Sequence, residues 1–183
     1  AGDVSKLGTL PEVQSFLDWF ETLPIKHKVF IAGNHDFLME KSRTLFLSLL
    51  ENYSSFHYLE NSEIEIEGIR IWGSPISPFF FNWAFNEHRG APIRRYWEMI
   101  PEGLDILISH GPPSGILDET ARGEAVGCED LLEIIEKTKP RYHVFGHIHE
   151  AYGISKNGHT TFINASVLNL KYELTNLPIM IEI

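Results

Sequence analysis

The sequence contains a single cysteine, Cys128, so no intrachain disulfide can form and a disulfide-stapled fold is excluded. No run approaches the roughly 18 apolar residues that a membrane-spanning helix requires, and the first residues lack the basic-then-apolar pattern of a signal peptide. Lysine and arginine are not clustered, and the formal charge is −10. Because binding to nucleic acid polymers or anionic membranes depends on such clusters, we expect neither partner. The single cysteine fits a reducing compartment, so we expect a cytoplasmic protein, with a secreted protein that lacks disulfides as the alternative.

Histidine, by contrast, is abundant, with nine copies among 183 residues. Imidazole is the side chain most used as a metal ligand, and it exchanges protons near neutral pH. The length predicts one domain over residues 1–183, with a core large enough to be stable without covalent staples.

The first part of the chain predicts helices around a buried strand. A capping box followed by apolar residues at helical spacing predicts a helix over 11–22. The β-branched and aromatic run 28–32 predicts a strand, which ends in the loop 33–36. Helical spacing returns over 40–52 and predicts a second helix.

The rest of the chain predicts strands separated by polar loops and one further helix. Alternating polarity predicts a hairpin over 63–72, and the proline-rich and aromatic segment 73–103 is expected to be a long loop with one short helix. An apolar stripe that begins at Cys128 predicts a helix ending before Pro140. Four more runs predict strands: 104–108, 142–145, 160–163 and 179–183. This order indicates an α/β protein with helices covering a sheet.

Four glycine-containing turns carry side chains that can bind a metal. They are Gly2-Asp3, Gly33-Asn34-His35-Asp36, Ser109-His110-Gly111 and Gly146-His147-Ile148-His149. The last three each follow a predicted strand, where ligands of α/β proteins collect. Their mixture of imidazole, carboxylate and amide donors suits Mn, Fe or Zn better than Ca. On an extended segment His147 and His149 would point the same way, so they could serve two ions about 3.5–4 Å apart.

The order of these turns resembles the calcineurin-like metallophosphoesterases, whose motif series is DxH, GD, GNH[D/E], H and GHxH. This chain has the last four blocks as GD, GNHD, SHG and GHIH. Longer segments such as IAGNHD, RIWGSPISP and HVFGHIHEAYG look like the MPPED group of that superfamily, over essentially the whole chain. The resemblance implies a four-layer α/β/β/α sandwich built around a phosphoesterase site with two divalent metal ions.

The resemblance also implies roles for individual residues. The implied metal ligands are Asp3, Asn34, His110, His147 and His149. Asp3 would bridge both ions, His149 would bind the first, and the other three would complete the second site. His35 would stand beside the scissile phosphate and protonate the leaving oxygen or stabilise its charge, and Asp36 would orient His35.

The implied function is a metal-dependent phosphoesterase, in particular a phosphodiesterase that hydrolyses small organic phosphates or cyclic nucleotides with a metal-activated hydroxide. A non-catalytic metal-binding or scaffold module of the same fold is the alternative. The DxH block, which in the family supplies two further ligands to the first metal, is absent, since the chain begins at Ala1. We therefore expect a natural protein that is longer at its N-terminus, and a first metal that this chain alone binds weakly.

Two features of the segment 73–103 leave several roles open. The aromatic run 79–85 is suited to stacking a nucleobase, to a subunit contact in a homodimer, or to filling the core beneath a loop. Arg89, Arg94 and Arg95 either contact substrate phosphate through bidentate hydrogen bonds or lie on the surface.

Overall fold

The computed structural model describes residues 1–183, which form five α-helices and ten β-strands. The helices are α1 (Leu10–Glu21), α2 (Phe37–Lys41), α3 (Arg43–Leu50), α4 (Ala91–Trp97) and α5 (Glu129–Thr138). The strands are β1 (Lys28–Phe30), β2 (Phe56–Tyr58), β3 (Ser62–Ile66), β4 (Ile69–Ser74), β5 (Ser77–Pro78), β6 (Asn86–Glu87), β7 (Ile106–Ser109), β8 (Tyr142–Phe145), β9 (Gly153–Lys156) and β10 (Thr161–Asn164). None of the helices is both long and apolar enough to cross a lipid bilayer.

Six strands form one mixed sheet in the order β3-β4-β7-β8-β10-β9. The four central strands β4, β7, β8 and β10 are parallel, whereas β3 and β9 pair antiparallel at the two edges. Strands β1 and β2 form a separate parallel pair. Because parallel strands end at the same edge of a sheet, the turns that follow β7 and β8 emerge side by side.

The two sheets face each other across an aliphatic layer. Ile71 on β4 is buried with Ile31 and Leu59, which follow β1 and β2, and this cluster also receives Ile106 and Ile108 of β7. The intervening residues Trp72 and Leu107 belong to the main core cluster instead. This division follows from the strand period of two, which sends successive side chains to opposite faces of the sheet.

Helices cover the outer face of each sheet. Phe16 and Phe20 of α1 lie against the β1–β2 pair, with ring centroids 5.5 Å from Phe30 and 5.2 Å from Phe56, respectively. On the other side, α4 and α5 contact each other, and Trp97 and Leu131 are buried with Trp72 and Leu107. The order is therefore helix, sheet, sheet, helix, which confirms the expected α/β/β/α sandwich.

The start of α1 confirms the predicted capping box. The Glu12 carboxylate accepts hydrogen bonds from the backbone N–H of Thr9 at 3.0 Å and from its hydroxyl at 2.8 Å. Groups that would otherwise lack partners at the helix start are thereby satisfied.

Two predicted elements differ in the structure. The helix expected over 40–52 is two helices, α2 and α3, because Ser42 between them leaves the helical conformation at φ −128° and ψ 44°. Residues 179–183 do not form a strand. The backbone carbonyl of Glu182 accepts a hydrogen bond from the side-chain hydroxyl of Tyr142 on β8, and not from a backbone amide of a strand. Strands β2, β5, β6 and β9 were not predicted from the sequence.

Candidate metal centre

Three of the predicted ligands converge on Nε2 of a fourth, His110. Oδ1 of Asn34 lies 2.7 Å from this nitrogen, Nδ1 of His147 lies 3.1 Å away, and Oδ2 of Asp3 lies 3.4 Å away. The donor atoms of Asp3, His110 and His147 all lie within 4.8 Å of one another. Asp3 and His147 are 144 positions apart in the sequence, so only the tertiary fold brings these residues together.

Two glycines allow this close approach. A β-carbon at Gly33 would lie 2.5 Å from Cε1 of His110 and even closer to the backbone nitrogen and Oδ1 of Asp3. A β-carbon at Gly2 would lie 2.7 Å from the carbonyl oxygen of Ala32. A β-carbon cannot lie so close to other atoms, so glycine is required at Gly2 and at Gly33.

Two of the predicted ligands have left-handed backbones. Asp3 has φ 54° and His147 has φ 68°, a region that residues other than glycine enter at an energetic cost. This corrects the expectation that His147 and His149 share an extended segment. His147 is left-handed and His149 begins a 3₁₀ turn, His149–Ala151. Both side chains nevertheless line the same cleft, whose volume is about 960 Å³.

Backbone carbonyls hold three of the histidine rings through Nδ1. His110 donates to Ala1 at 2.9 Å, and His149 donates to Asn169 at 3.0 Å. His35 makes the same interaction with Lys6 at 2.7 Å. A carbonyl oxygen can only accept, so Nδ1 carries the hydrogen in each case and Nε2 is the nitrogen left for a ligand.

The same tautomer indicates why a cation fits at this position. In neutral His110, Nε2 carries a lone pair, and it faces the acceptor oxygens of Asn34 and Asp3. Lone pairs at such distances repel each other unless a proton or a metal ion lies between them. The carboxylate, amide and imidazole donors match the ligand preferences of Mn, Fe and Zn.

The charges of the site are strongly coupled. Burial acts to raise the pKa of Asp3, but the neighbouring His110 outweighs it and holds that pKa below its ordinary value. Burial similarly opposes the charge on His110, yet Asp3 raises the pKa of this ring. Burial lowers the pKa of His147 to about 3, so this ring is neutral near pH 7 and available as a ligand.

The Asp36 carboxylate does not bond to His35, the partner expected from the sequence. It is buried and accepts hydrogen bonds from the backbone amides of Gly33, Ser5 and Val4, at 2.7, 3.0 and 3.2 Å, and from the Ser5 hydroxyl at 2.6 Å. No hydrogen bond joins it to the ring of His35. Asp36 therefore ties the turn that carries Asp3 to the loop that carries Asn34, and the Lys6 carbonyl orients His35 instead.

Two aromatic residues beside His35 were not assigned to the site from the sequence. The ring of Trp83 lies 4.3 Å from the ring of His35, centroid to centroid, and that of Tyr172 lies 6.4 Å away. Trp83 belongs to the aromatic run 79–85, but composition could not distinguish it from its neighbours. Tyr172 lies in a segment that carries no motif, so no signal pointed to it.

The structure divides the aromatic run between several environments. Phe79, Phe80 and Phe81 are exposed, Ala84 and Phe85 are buried in the core, and Trp83 lies at the site. No single role therefore describes the segment.

The three arginines near this run are engaged with carboxylates, not with the metal centre. Arg89 pairs with Glu129, Arg94 with Glu133 and Glu98, and Arg95 with Glu87. Two of these partners, Glu129 and Glu133, lie on α5, which covers the sheet face away from β1 and β2. The alternative in which these arginines contact substrate phosphate is not supported.

An α/β/β/α sandwich with a converged set of metal-ligand side chains at its strand ends defines a candidate metallohydrolase. Comparison with known proteins agrees, since residues 1–151 match the model of the family described as calcineurin-like phosphoesterase. The chain belongs to this calcineurin-like phosphoesterase family.

Similar proteins include several named relatives. Metallophosphoesterase domain-containing protein 1 of Homo sapiens is 42% identical over 205 residues, which cover 100% of this chain and 63% of the relative. The UPF0046 protein T07D4.2 of Caenorhabditis elegans is 36% identical, covering 100% of this chain and 53% of the relative. The chain thus spans less than two thirds of the length of these relatives.

Solved structures share the fold at low identity. One crystal structure has a TM-score of 0.66 at 19% identity, covering 85% of this chain and 63% of that chain. The crystal structure of TT1561 of Thermus thermophilus has a TM-score of 0.58 at 10% identity, covering 88% of this chain and 72% of that chain.

Proposed function

We propose that the protein is a phosphodiesterase that hydrolyses small organic phosphate esters or cyclic nucleotides with two divalent metal ions, Mn, Fe or Zn, in the cytoplasm. The observation that carries this proposal is the convergence of Asn34, His147 and Asp3 on Nε2 of His110. Nitrogen and oxygen atoms with lone pairs, gathered this closely, suit a divalent cation.

In this proposal five side chains hold the metal ions. Asn34, His110 and His147 would hold the second ion, His149 would hold the first, and the Asp3 carboxylate would contribute to both. When bound, the ions would neutralise charge on the phosphoryl oxygens and lower the pKa of a water molecule enough to form hydroxide near neutral pH. The carbonyls of Ala1 and Asn169 keep the rings of His110 and His149 oriented for binding.

His35 is proposed as the group beside the leaving oxygen. Its backbone amide donates to Oδ1 of Asp3 at 2.9 Å, which places His35 next to this carboxylate. Because Nδ1 already donates to the Lys6 carbonyl, Nε2 is the ring nitrogen that can deliver a proton to the leaving group or stabilise its charge.

Hydrolysis of bis(p-nitrophenyl) phosphate by the full natural protein with added Mn²⁺ tests the proposal. We expect His35→Ala to lower kcat by roughly 100-fold or more, as the loss of a general acid does. Asp3→Ala should abolish turnover together with metal binding measured by calorimetry. His159→Ala is the matched control, since His159 is exposed and outside the centre, and it should retain full activity.

Other outcomes would contradict the proposal in distinguishable ways. Turnover that persists in a chelator, or that both substitutions leave unchanged, would exclude the metal-dependent reaction. Metal binding without any turnover would instead favour the non-catalytic, metal-binding module. Anomalous scattering from crystals grown with Mn, Fe or Zn would count the bound ions.

A further inference from the structure

Two aromatic rings flank His35, and one of them, that of Tyr172, lines the same cleft as His35 and most of the predicted metal ligands. The indole of Trp83 lies 4.3 Å from the imidazole, between centroids, at an interplanar angle of 43°. The phenol of Tyr172 lies 6.4 Å from the same ring and 5.6 Å from the ring of His149, nearly perpendicular to both. Any organic group attached to a phosphate beside His35 would therefore meet aromatic surface.

Trp83 is held in place by its neighbours. The backbone amide of Ala84 donates to the carbonyl of Asn34 at 3.0 Å, which docks this segment on the loop that carries His35. The next amide, of Phe85, donates to the Glu40 carboxylate at 2.7 Å. The indole also lies 5.9 Å from the ring of Phe37. Its position is therefore set before any ligand arrives.

Tyr172 is exposed, yet its loop is ordered by hydrogen bonds. It has a left-handed backbone, with φ 60°, and its amide donates to the carbonyl of Asn169 at 2.9 Å. The side-chain oxygen of Asn169 accepts from the amides of Lys171 and Glu173 at 2.8 and 3.1 Å. The Asn169 carbonyl also accepts from His149, so the same residue that orients this metal ligand presents Tyr172.

The Tyr172 ring itself has little protein cover. It is 54% exposed, although it stands at the rim of the cleft that holds the metal ligands. A large apolar ring that is fixed in position but left open to solvent at a site offers surface for a ligand.

Lys6 adds a positive charge at the same rim. Its ammonium lies 5.9 Å from the centroid of the Tyr172 ring, and no carboxylate forms an ion pair with it. In a protein with a net charge of −10, an unpaired cation at this position favours the approach of an anionic ester.

We infer that Trp83 and Tyr172 are specificity-determining residues that hold a planar aromatic group of the phosphate ester on the leaving-group side of His35. This inference rests on the proposed function. The rings offer faces and edges to another ring, an arrangement that sugars or alkyl groups cannot use equally well. The ligand class is therefore a phosphate ester whose organic part contains a ring of nucleobase size.

Adenosine 5′-monophosphate and ribose 5-phosphate provide the test, because they share the phosphate and sugar and differ in the aromatic base. Their dissociation constants are measured by calorimetry with the full natural protein and added Mn²⁺. We expect the wild type to bind the adenine compound more tightly, and Tyr172→Ala to reduce this preference roughly 10-fold while leaving ribose 5-phosphate unaffected. Trp83→Leu should act in the same direction.

Controls separate this role from a structural one. Tyr172→Phe keeps the ring and should keep the preference, and Phe80→Ala, which removes an exposed aromatic ring outside the cleft, should change nothing. In kinetics, Tyr172→Ala should raise KM for an aromatic ester more than it lowers kcat. Equal binding of the two compounds by the wild type, or an unchanged ratio in Tyr172→Ala, would overturn the inference. A preference of the wild type for the adenine compound that Tyr172→Ala reduces, in a protein that hydrolyses no phosphodiester, would instead count against the proposed function alone.

Discussion

The carboxylate of Asp36 accepts hydrogen bonds from both the hydroxyl and the backbone amide of Ser5, at 2.6 and 3.0 Å, across 31 positions of sequence. This pairing fastens together the two turns that carry Asp3 and Asn34. Asp36 is fully buried. Burial raises its pKa most, and the nearby negative charge of Asp3 raises it further. The geometry of the metal centre therefore depends on a residue that does not belong to it.

Asp36→Asn should weaken both the fold and metal binding. An amide replaces one acceptor oxygen with a donor that faces the N–H groups of Val4, Ser5 or Gly33, so a cost of about 1–3 kcal/mol in the free energy of unfolding is expected. Urea unfolding and Mn²⁺ calorimetry measure the two effects. Asp118→Ala is the control, since it removes the buried carboxylate oxygen that accepts from the amides of Gly115 and Gly127 away from the centre. It should destabilise the fold but leave the metal affinity unchanged.

Gly33→Ala should disrupt the centre on steric grounds alone. The added β-carbon would collide with Asp3 and His110, so the two ligands must separate. We expect the Mn²⁺ affinity to fall by about 10- to 100-fold, the range seen when ligand orientation is lost. Gly111→Ala is the control, because a β-carbon there meets nothing within 4 Å although the residue adjoins His110. Equal affinities for the two variants would contradict this account of the glycine.

His143 should make the fold sensitive to acid. Its ring is fully buried, Nε2 lies 2.7 Å from the Ser109 hydroxyl, and Nδ1 has no partner. Burial lowers the pKa of His143 from about 6.5 to about 3. The unfolded chain therefore binds a proton that the folded chain does not, and stability present above pH 6.5 is lost as the pH falls from there towards 3.

Urea unfolding between pH 7.5 and pH 5, with a chelator present, measures this dependence. The free energy of unfolding of the wild type should fall by up to about 1.4 kcal/mol per pH unit more steeply than that of His143→Gln, which cannot titrate. His159→Gln, which removes an exposed imidazole, should follow the wild type. Parallel curves for the wild type and His143→Gln would show that His143 is not the responsible group.

Arg94→Ala should leave the reaction unaffected. The guanidinium forms a pair of hydrogen bonds with Glu133, at 2.6 and 2.7 Å, between α4 and α5 on the surface. Exposed ion pairs contribute little to stability, so the melting temperature should change only slightly. The kcat and KM for bis(p-nitrophenyl) phosphate should equal those of the wild type. An increase in KM would restore the interpretation of Arg94 as a phosphate-binding residue.

Local patterns in the sequence predicted the residues of the centre and most of the regular structure. Asp3, Asn34, His110 and His147 were all identified from turns that follow glycine or a strand, and the structure brings them together. The capping box at Thr9 was equally visible. Such signals depend only on residues a few positions apart, and their physical causes are local as well.

The sequence by itself therefore determined which side chains can bind metal and which strand faces are apolar. Only the tertiary structure decided that Asp36 bonds to Ser5 rather than to His35, and that Trp83 and Tyr172 stand beside the same imidazole. It also decided that residues 179–183 remain outside the sheet. The physical reason is that such contacts depend on how distant segments pack. One spacing pattern in the sequence is compatible with many packings, and only the folded core as a whole fixes a single one.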